Sequence, residues 1–293
     1  MADKPIKLIV HVGVHKTGTS ALQSLLWLNR DLLTKYGVWY NTPTGSESHV
    51  NLAKKFLSDD AEWAIEDLER IISDAAENDC HTALISSEVF CEHPFNEQAF
   101  RTAIEGIPTD IIAYIRRPDE IVLSAYNQVV RDINQRWTKK LGEQLAYDPT
   151  YINIIGKFTG DKPWNLIVAP YDKAQWTNGN LLDDFLAMIG VDIDNLDRNV
   201  GKDKENSSLP MPLLEILRLS NMREASTEEH VALMDILYTA AAQSPELYRS
   251  EDPIDLDLRV DYCRRLDEKL HVFRPYFRKG FKEGFLLPSA VSA

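Results

Sequence analysis

The opening of the chain constrains it most. KLIVHV (7–12) is an apolar, β-branched run of strand length, GVHKTGTS (13–20) interrupts it, and Ala21, Leu22, Leu25 and Leu26 then recur at helical spacing. The pattern predicts strand, glycine-bounded loop, helix. Further strand-length runs at 82–86 (TALIS), 110–115 (DIIAYI) and 165–169 (NLIVA) are each followed by a helix-like segment. Alternation of this kind implies an α/β protein whose central parallel sheet carries helices on both faces.

Several helices are legible. Ser58 and two aspartates precede a stripe at Ile65, Leu68 and Ile72, and a second stripe runs Val122, Tyr126, Val129, Ile133, Trp137. A third, Leu182, Phe185, Ile189, stops at Gly190, a suitable C-terminal cap. From Leu209 onward the sequence reads as helix, and 198–208 (RNVGKDKENSS) as a mobile connection. We read one domain over 1–293, with a core at 7–222 and a helical C-terminal portion at 223–293.

Charge and cysteine usage narrow the function. With 32 Lys plus Arg against 45 Asp plus Glu the formal charge is -13, which argues against a broad surface for nucleic acid or anionic membrane. An anionic ligand must therefore meet a local cluster. Cys80, Cys91 and Cys263 lack CxxC spacing, so neither a disulfide framework nor a zinc site is expected, and reduced thiols fit a cytoplasmic protein. No run reaches the length of a signal-peptide core or a membrane span.

The loop carries the chemistry. A helix N-terminus at the carboxyl end of a strand offers free N–H groups and a positive dipole end. Gly13 and Gly18 permit a tight path, so amides from Lys16 to Ser20 can converge on a phosphate while Thr17, Thr19 and Ser20 add hydroxyls. In the nucleoside triphosphatase loop G-x-x-x-x-G-K-[ST] the lysine follows the second glycine. Here Thr19 follows Gly18, and Lys16 precedes it by two places. The phosphate cradle is kept and the cation is displaced. No second acidic motif for a metal accompanies it.

HVGVHKTGTSALQ resembles the 5′-phosphosulfate loop of the sulfotransferases that use 3′-phosphoadenosine 5′-phosphosulfate (PAPS), in particular the bacterial and heparan-sulfate-type members with a Lys-Thr-Gly-Thr core. DIIAYIRRPDEIVLSAYNQ is similar to that family's 3′-phosphate element, with Arg116 and Ser124 eight residues apart. IVAPYDKAQWTNGNLLDDFLAMIGVD and NSSLPMPLLEILRLSN resemble later segments, so the likeness touches most of 7–222. It implies a three-layer α/β/α sandwich of the P-loop nucleoside triphosphate hydrolase type. It also implies a PAPS-dependent sulfotransferase in which Lys16 stabilises the leaving 5′-phosphate, the loop from Lys16 through Thr17, Gly18 and Thr19 to Ser20 holds it, and Arg116 with Ser124 holds the 3′-phosphate. No metal is implied.

The acceptor hydroxyl or amine requires a base. Glu88, at the carboxyl end of the run from 82, is placed for that role and for substrate contact; alternatively it caps the next helix or pairs with Lys16 or Arg117. His15, beside Lys16, and His49 are each read either as base or substrate contact, or as a packing or capping group. His11, inside a strand, is read as a satisfied core histidine. One of Arg116 and Arg117 can instead pair with Asp119 or Glu120 while Ser124 merely packs.

Arg131, Arg136, Lys139 and Lys140 give the helix after Ser124 a basic end, which serves an anionic acceptor or simply faces solvent. Packing of a terminal helix explains HVFRPYFRKGFKEGF (271–285). The acceptor is a small molecule or a carbohydrate. Competing readings are an ATP-dependent small-molecule kinase, whose lysine after Gly18 is missing, and a non-catalytic nucleotide-binding protein.

Overall fold

The computed structural model describes residues 5–14, 16–58, 61–92, 94–142, 155–193, 196–198, 208–223, 225–249 and 255–288. Of the expected connection at 198–208, residues 199–207 lie outside these. The chain forms two compact units: a sheet unit of 1–116, 150–200 and 270–283, and a helical unit of 117–149, 201–269 and 284–293. The segment 270–283 belongs with the sheet because Phe277 bridges Val168 and the Arg278 amide donates to the Val168 carbonyl at 3.0 Å.

In the sheet unit, β1 (Lys7–Val12), β2 (Val38–Trp39), β3 (Thr82–Ser87), β4 (Thr109–Ile115) and β5 (Asn165–Pro170) form one parallel sheet in the order β2-β3-β1-β4-β5. The apolar runs become strands because both of their faces are covered; every residue of β3 is buried. One face packs against α1 (Thr19–Leu28), α2 (Arg30–Lys35) and a later helix, Leu181–Met188, in a core of Ile9, Leu22, Leu84, Ile112, Tyr114 and Phe185. On the other face, α3 (Val50–Lys55) and α4 (Glu62–Glu77) contact β3 without joining that core, and α5 (Glu97–Ala103) lies beside α4. The arrangement is a three-layer α/β/α sandwich. Only β2, two residues long, escaped the sequence pattern.

β1 and β4 are neighbours whose outgoing connections run to opposite sides of the sheet, toward β2 and toward β5. Adjacent strands that diverge in this way open a crevice at their carboxyl ends. The Gly13–Gly18 loop and Arg116 leave those two ends.

In the helical unit, α6 (Pro118–Arg131) is shorter than its apolar stripe, which continued to Trp137. Asp132 leaves the helical region with ψ 124°, and its carboxylate accepts from the amides of Asn134 and Gln135 at 2.8 and 3.0 Å. The chain turns, and Trp137 comes back to donate its amide to Val129. Arg136, Lys139 and Lys140 are therefore not a basic helix end; Arg136 binds the Ala225 carbonyl and the Thr227 hydroxyl.

The sheet-unit helix Leu181–Met188 is α7 in chain order. Asn180 caps it through Oδ1, and Gly190, at φ 76°, follows its end as the sequence led one to expect. The helical unit continues with α8 (Met211–Asn221), α9 (Thr227–Gln243) and α10 (Leu256–Leu270). A reciprocal Ser226–Glu229 capping box starts α9. None of the described helices is long and apolar enough to cross a membrane.

Candidate active site

The loop between β1 and α1 is shaped by what its glycines leave out. A Cβ on Gly13 would stand 2.3 Å from Thr19 Oγ1 and 2.4 Å from its Cγ2, so only glycine lets α1 begin this close to the strand. Gly18 has φ 71° and ends the turn in the left-handed region. Lys16 shares that conformation at φ 69°, a strained choice for a residue with a Cβ.

Within the turn, Thr17 directs both donors to the Val14 carbonyl, its amide at 3.2 Å and its hydroxyl at 2.6 Å. In this structure Thr17 closes the loop instead of offering these two donors to the phosphate position. No side chain caps α1, and the amides of Gly18, Thr19, Ser20 and Ala21 have no acceptor among the described residues. The Thr19 hydroxyl is buried without a partner. Four converging amides at a dipole's positive end and one orphaned buried hydroxyl fit a tetrahedral anion.

Arg116 extends from β4 into the same region, donating Nη1 to the Lys16 carbonyl at 3.1 Å while its guanidinium lies over the Tyr171 ring at 5.4 Å. It braces the strained residue. Tyr171 is held in turn by its amide on the Ile115 carbonyl at 2.7 Å and by edge contact with Trp176. The pairing foreseen for one arginine belongs to Arg117, which meets Asp119 at 2.7 Å and Glu120 at 3.1 Å. Ser124 is half-buried on α6 of the helical unit.

Glu88 follows β3 in a short 3-10 turn that Ser87, not Glu88, caps. The register pairs Val12 with Ser87, so Gly13 and Glu88 leave the sheet at the same level. Among the described residues its carboxylate has no hydrogen-bond or ion-pair partner, which removes the expected alternatives of a cap or a pair with Lys16 or Arg117. His15 lies outside the described residues.

His49 is buried at the head of α3. Its Nε2 donates to the Asn41 carbonyl at 3.0 Å, its Nδ1 accepts from the Ser86 amide at 3.2 Å, and burial lowers its pKa to about 4. Both nitrogens are engaged, so the ring is a neutral structural group. It also supplies what β2 cannot: β2 stops pairing at Ala83, and beyond it His49 binds both the amide and the carbonyl of Ser86. His11 is half of what was expected. Nδ1 meets Ser86 Oγ at 2.8 Å, Nε2 is buried without a partner, and burial lowers the pKa to about 3.

Sequence reasoning missed two further groups. Tyr171 stands directly after β5 at the carboxyl edge, and an aromatic residue in that place was the available signal. Asp184, fully buried on α7, accepts from Tyr114 Oη at 2.9 Å, the Thr177 amide at 2.9 Å and Arg278 Nη1 at 2.7 Å. Arg278 thus ties the segment 271–285, expected from sequence to pack as a terminal helix, to α7. Cys80, Cys91 and Cys263 are buried and unpaired, and no cluster among the described residues could hold a metal.

Fold and site together define an α/β protein with a turn, at a sheet switch point, whose amides from Gly18 to Ala21 have no acceptor among the described residues. No family model matches the chain. An uncharacterized protein of Archaeoglobus fulgidus is 26% identical over 207 residues, covering 70% of this chain and 55% of that protein, so the chain spans about half the relative's length. Among solved structures it is similar to a sulfotransferase from Alicyclobacillus acidocaldarius, with TM-score 0.41 and 17% identity over 79% of this chain and 95% of the other. It is also similar to a mouse sulfotransferase complexed with PAP, with TM-score 0.40 and 17% identity over 92% and 85%.

Proposed function

We propose that this chain is a sulfotransferase that moves a sulfuryl group from PAPS to a hydroxyl or amine. The observation that carries the reading is the turn itself: amides from Gly18 to Ala21 with no acceptor among the described residues, and a lysine placed before the second glycine and braced by Arg116. That arrangement supports binding of a 5′-phosphate without the lysine and metal geometry of an ATPase.

In the transfer, the sulfur–oxygen bond to the 5′-phosphate breaks as a sulfur–oxygen bond to an acceptor hydroxyl, or a sulfur–nitrogen bond to an acceptor amine, forms. The phosphate oxygen keeps the electron pair, facing the loop amides and Lys16. The acceptor's proton passes to Glu88, whose level with Gly13 supports that role. Fixed donors aimed at the developing charge provide most of the acceleration.

Differential scanning fluorimetry tests the reading. The desulfated nucleotide, 3′-phosphoadenosine 5′-phosphate, raises the melting temperature without Mg²⁺, by about 2.7 kcal/mol of added stability at a hundred times its Kd. ATP with Mg²⁺ does much less. The opposite ranking overturns the proposal in favour of a kinase.

A further inference from the structure

A cavity of the sheet unit, about 440 Å³, lies between α3, α4 and the loop 42–48, with none of the phosphate-loop residues in its wall. Its volume is that of a small-molecule site. Leu52, Ile71 and Pro43 give it apolar surface, and Lys55, Asp67 and Arg70 give it charge.

The three charged groups are arranged, not scattered. Asp67 sits between the cations, 2.6 Å from Lys55 Nζ and 3.3 Å from Arg70 Nη2. One carboxylate fixes two cations and leaves the cluster net positive on a chain of charge -13. Most of the guanidinium and ammonium donors have no acceptor among the described residues. Held cations with donors to spare are what an anionic group needs.

His49 forms part of the cavity's wall, and the same ring accepts from the Ser86 amide of β3. Ser24 of α1 donates to Glu47, in the loop 42–48 that contributes to the wall.

We propose that this cavity binds a hydroxylated small molecule carrying an anionic group, a carboxylate or a sulfate ester, read by Arg70 and Lys55. The cavity's ligand chemistry stands on its own residues and does not depend on the sulfotransferase reading. Apolar Pro43, Leu52 and Ile71 line it beside the carbon skeleton while the cations fix the charged end.

Isothermal titration of the full chain, without nucleotide, tests the site with D-glucuronate, D-glucose 6-sulfate and D-glucose. At least one charged sugar binds about tenfold more tightly than glucose, and Arg70→Gln removes about that factor, as expected for a lost charge-assisted contact. Glucuronate above the sulfate ester identifies a carboxylate reader, and the reverse order a sulfate reader. Arg70 is half exposed, so an unchanged melting temperature verifies that the variant folds. Lys16→Ala leaves sugar affinity unchanged. Equal binding of charged and neutral sugars, no binding of either charged sugar, or unaltered affinity in both Arg70→Gln and Lys55→Gln overturns the inference. Because no donor is present, these outcomes are independent of the nucleotide experiment, whose failure would remove the sulfotransferase reading and leave the cavity's chemistry intact.

Discussion

Replacing Gly13 by alanine tests the loop where its geometry is tightest. The added methyl would meet Thr19 Oγ1 at 2.3 Å, Cγ2 at 2.4 Å and Cβ at 2.9 Å, all under the contact limit, and Thr19 is itself buried at the start of α1. Overpacking of this kind costs about 1–3 kcal/mol, and the relief available is to move α1 away from β1. That movement shifts the amides of Gly18 to Ala21, so nucleotide affinity falls along with stability.

Thr19→Ala removes two of the three clashing atoms and a buried hydroxyl with no partner. Alone it should be nearly neutral. In the double variant it should restore more than half of the stability lost by Gly13→Ala, a coupling that urea unfolding of the four proteins measures directly. Additive losses, or a Gly13→Ala protein as stable and as responsive to 3′-phosphoadenosine 5′-phosphate as the parent, would refute the close-approach argument.

Other expectations follow from the same structure. Glu88→Gln should reduce turnover by about 10²- to 10⁴-fold while leaving the nucleotide-induced melting shift in place; a mutant with full turnover removes Glu88 as base. In the helical unit, Asp119 is fully buried and held at 2.7 Å by Arg117 and 2.6 Å by Arg259, so Asp119→Asn should cost about 3–5 kcal/mol in denaturant unfolding, and a loss within error contradicts the pairing. His11 and His49 are held neutral by burial, with pKa values lowered to about 3 and about 4. The unfolded chain takes up their protons near 6.5, so their contribution is complete above that pH and is lost as pH falls from 6.5 through 4 toward 3. The slope of stability against pH in that window should flatten in His49→Asn; an unchanged slope is inconsistent with a buried neutral ring.

The strands at 7–12, 82–86, 110–115 and 165–169 were legible because both faces of each are covered, which leaves an unbroken apolar run. β2 was not, since two residues carry no period. The end of α6 was misread for a different reason: Ile133 and Trp137 continue its spacing, but the Asp132 carboxylate offers the next amides a turn that competes with the helix. In the site, the glycines and Lys16 were readable as local chemistry. Thr17 was not, because its donors turn inward to Val14, and spacing says nothing about direction. His49 and Arg278 owe their roles to partners far away in sequence, Ser86 and Asp184, which no local pattern announces.

The tie between Asp184 and Arg278 has a consequence for biosynthesis. A ribosome will have made β1 to β5 long before residue 278 emerges, and until then the Asp184 carboxylate lacks its cation. The nascent sheet should therefore stay open to proteases until residue 278 has emerged. Deletions reaching back past Arg278 should leave the protein in that immature condition.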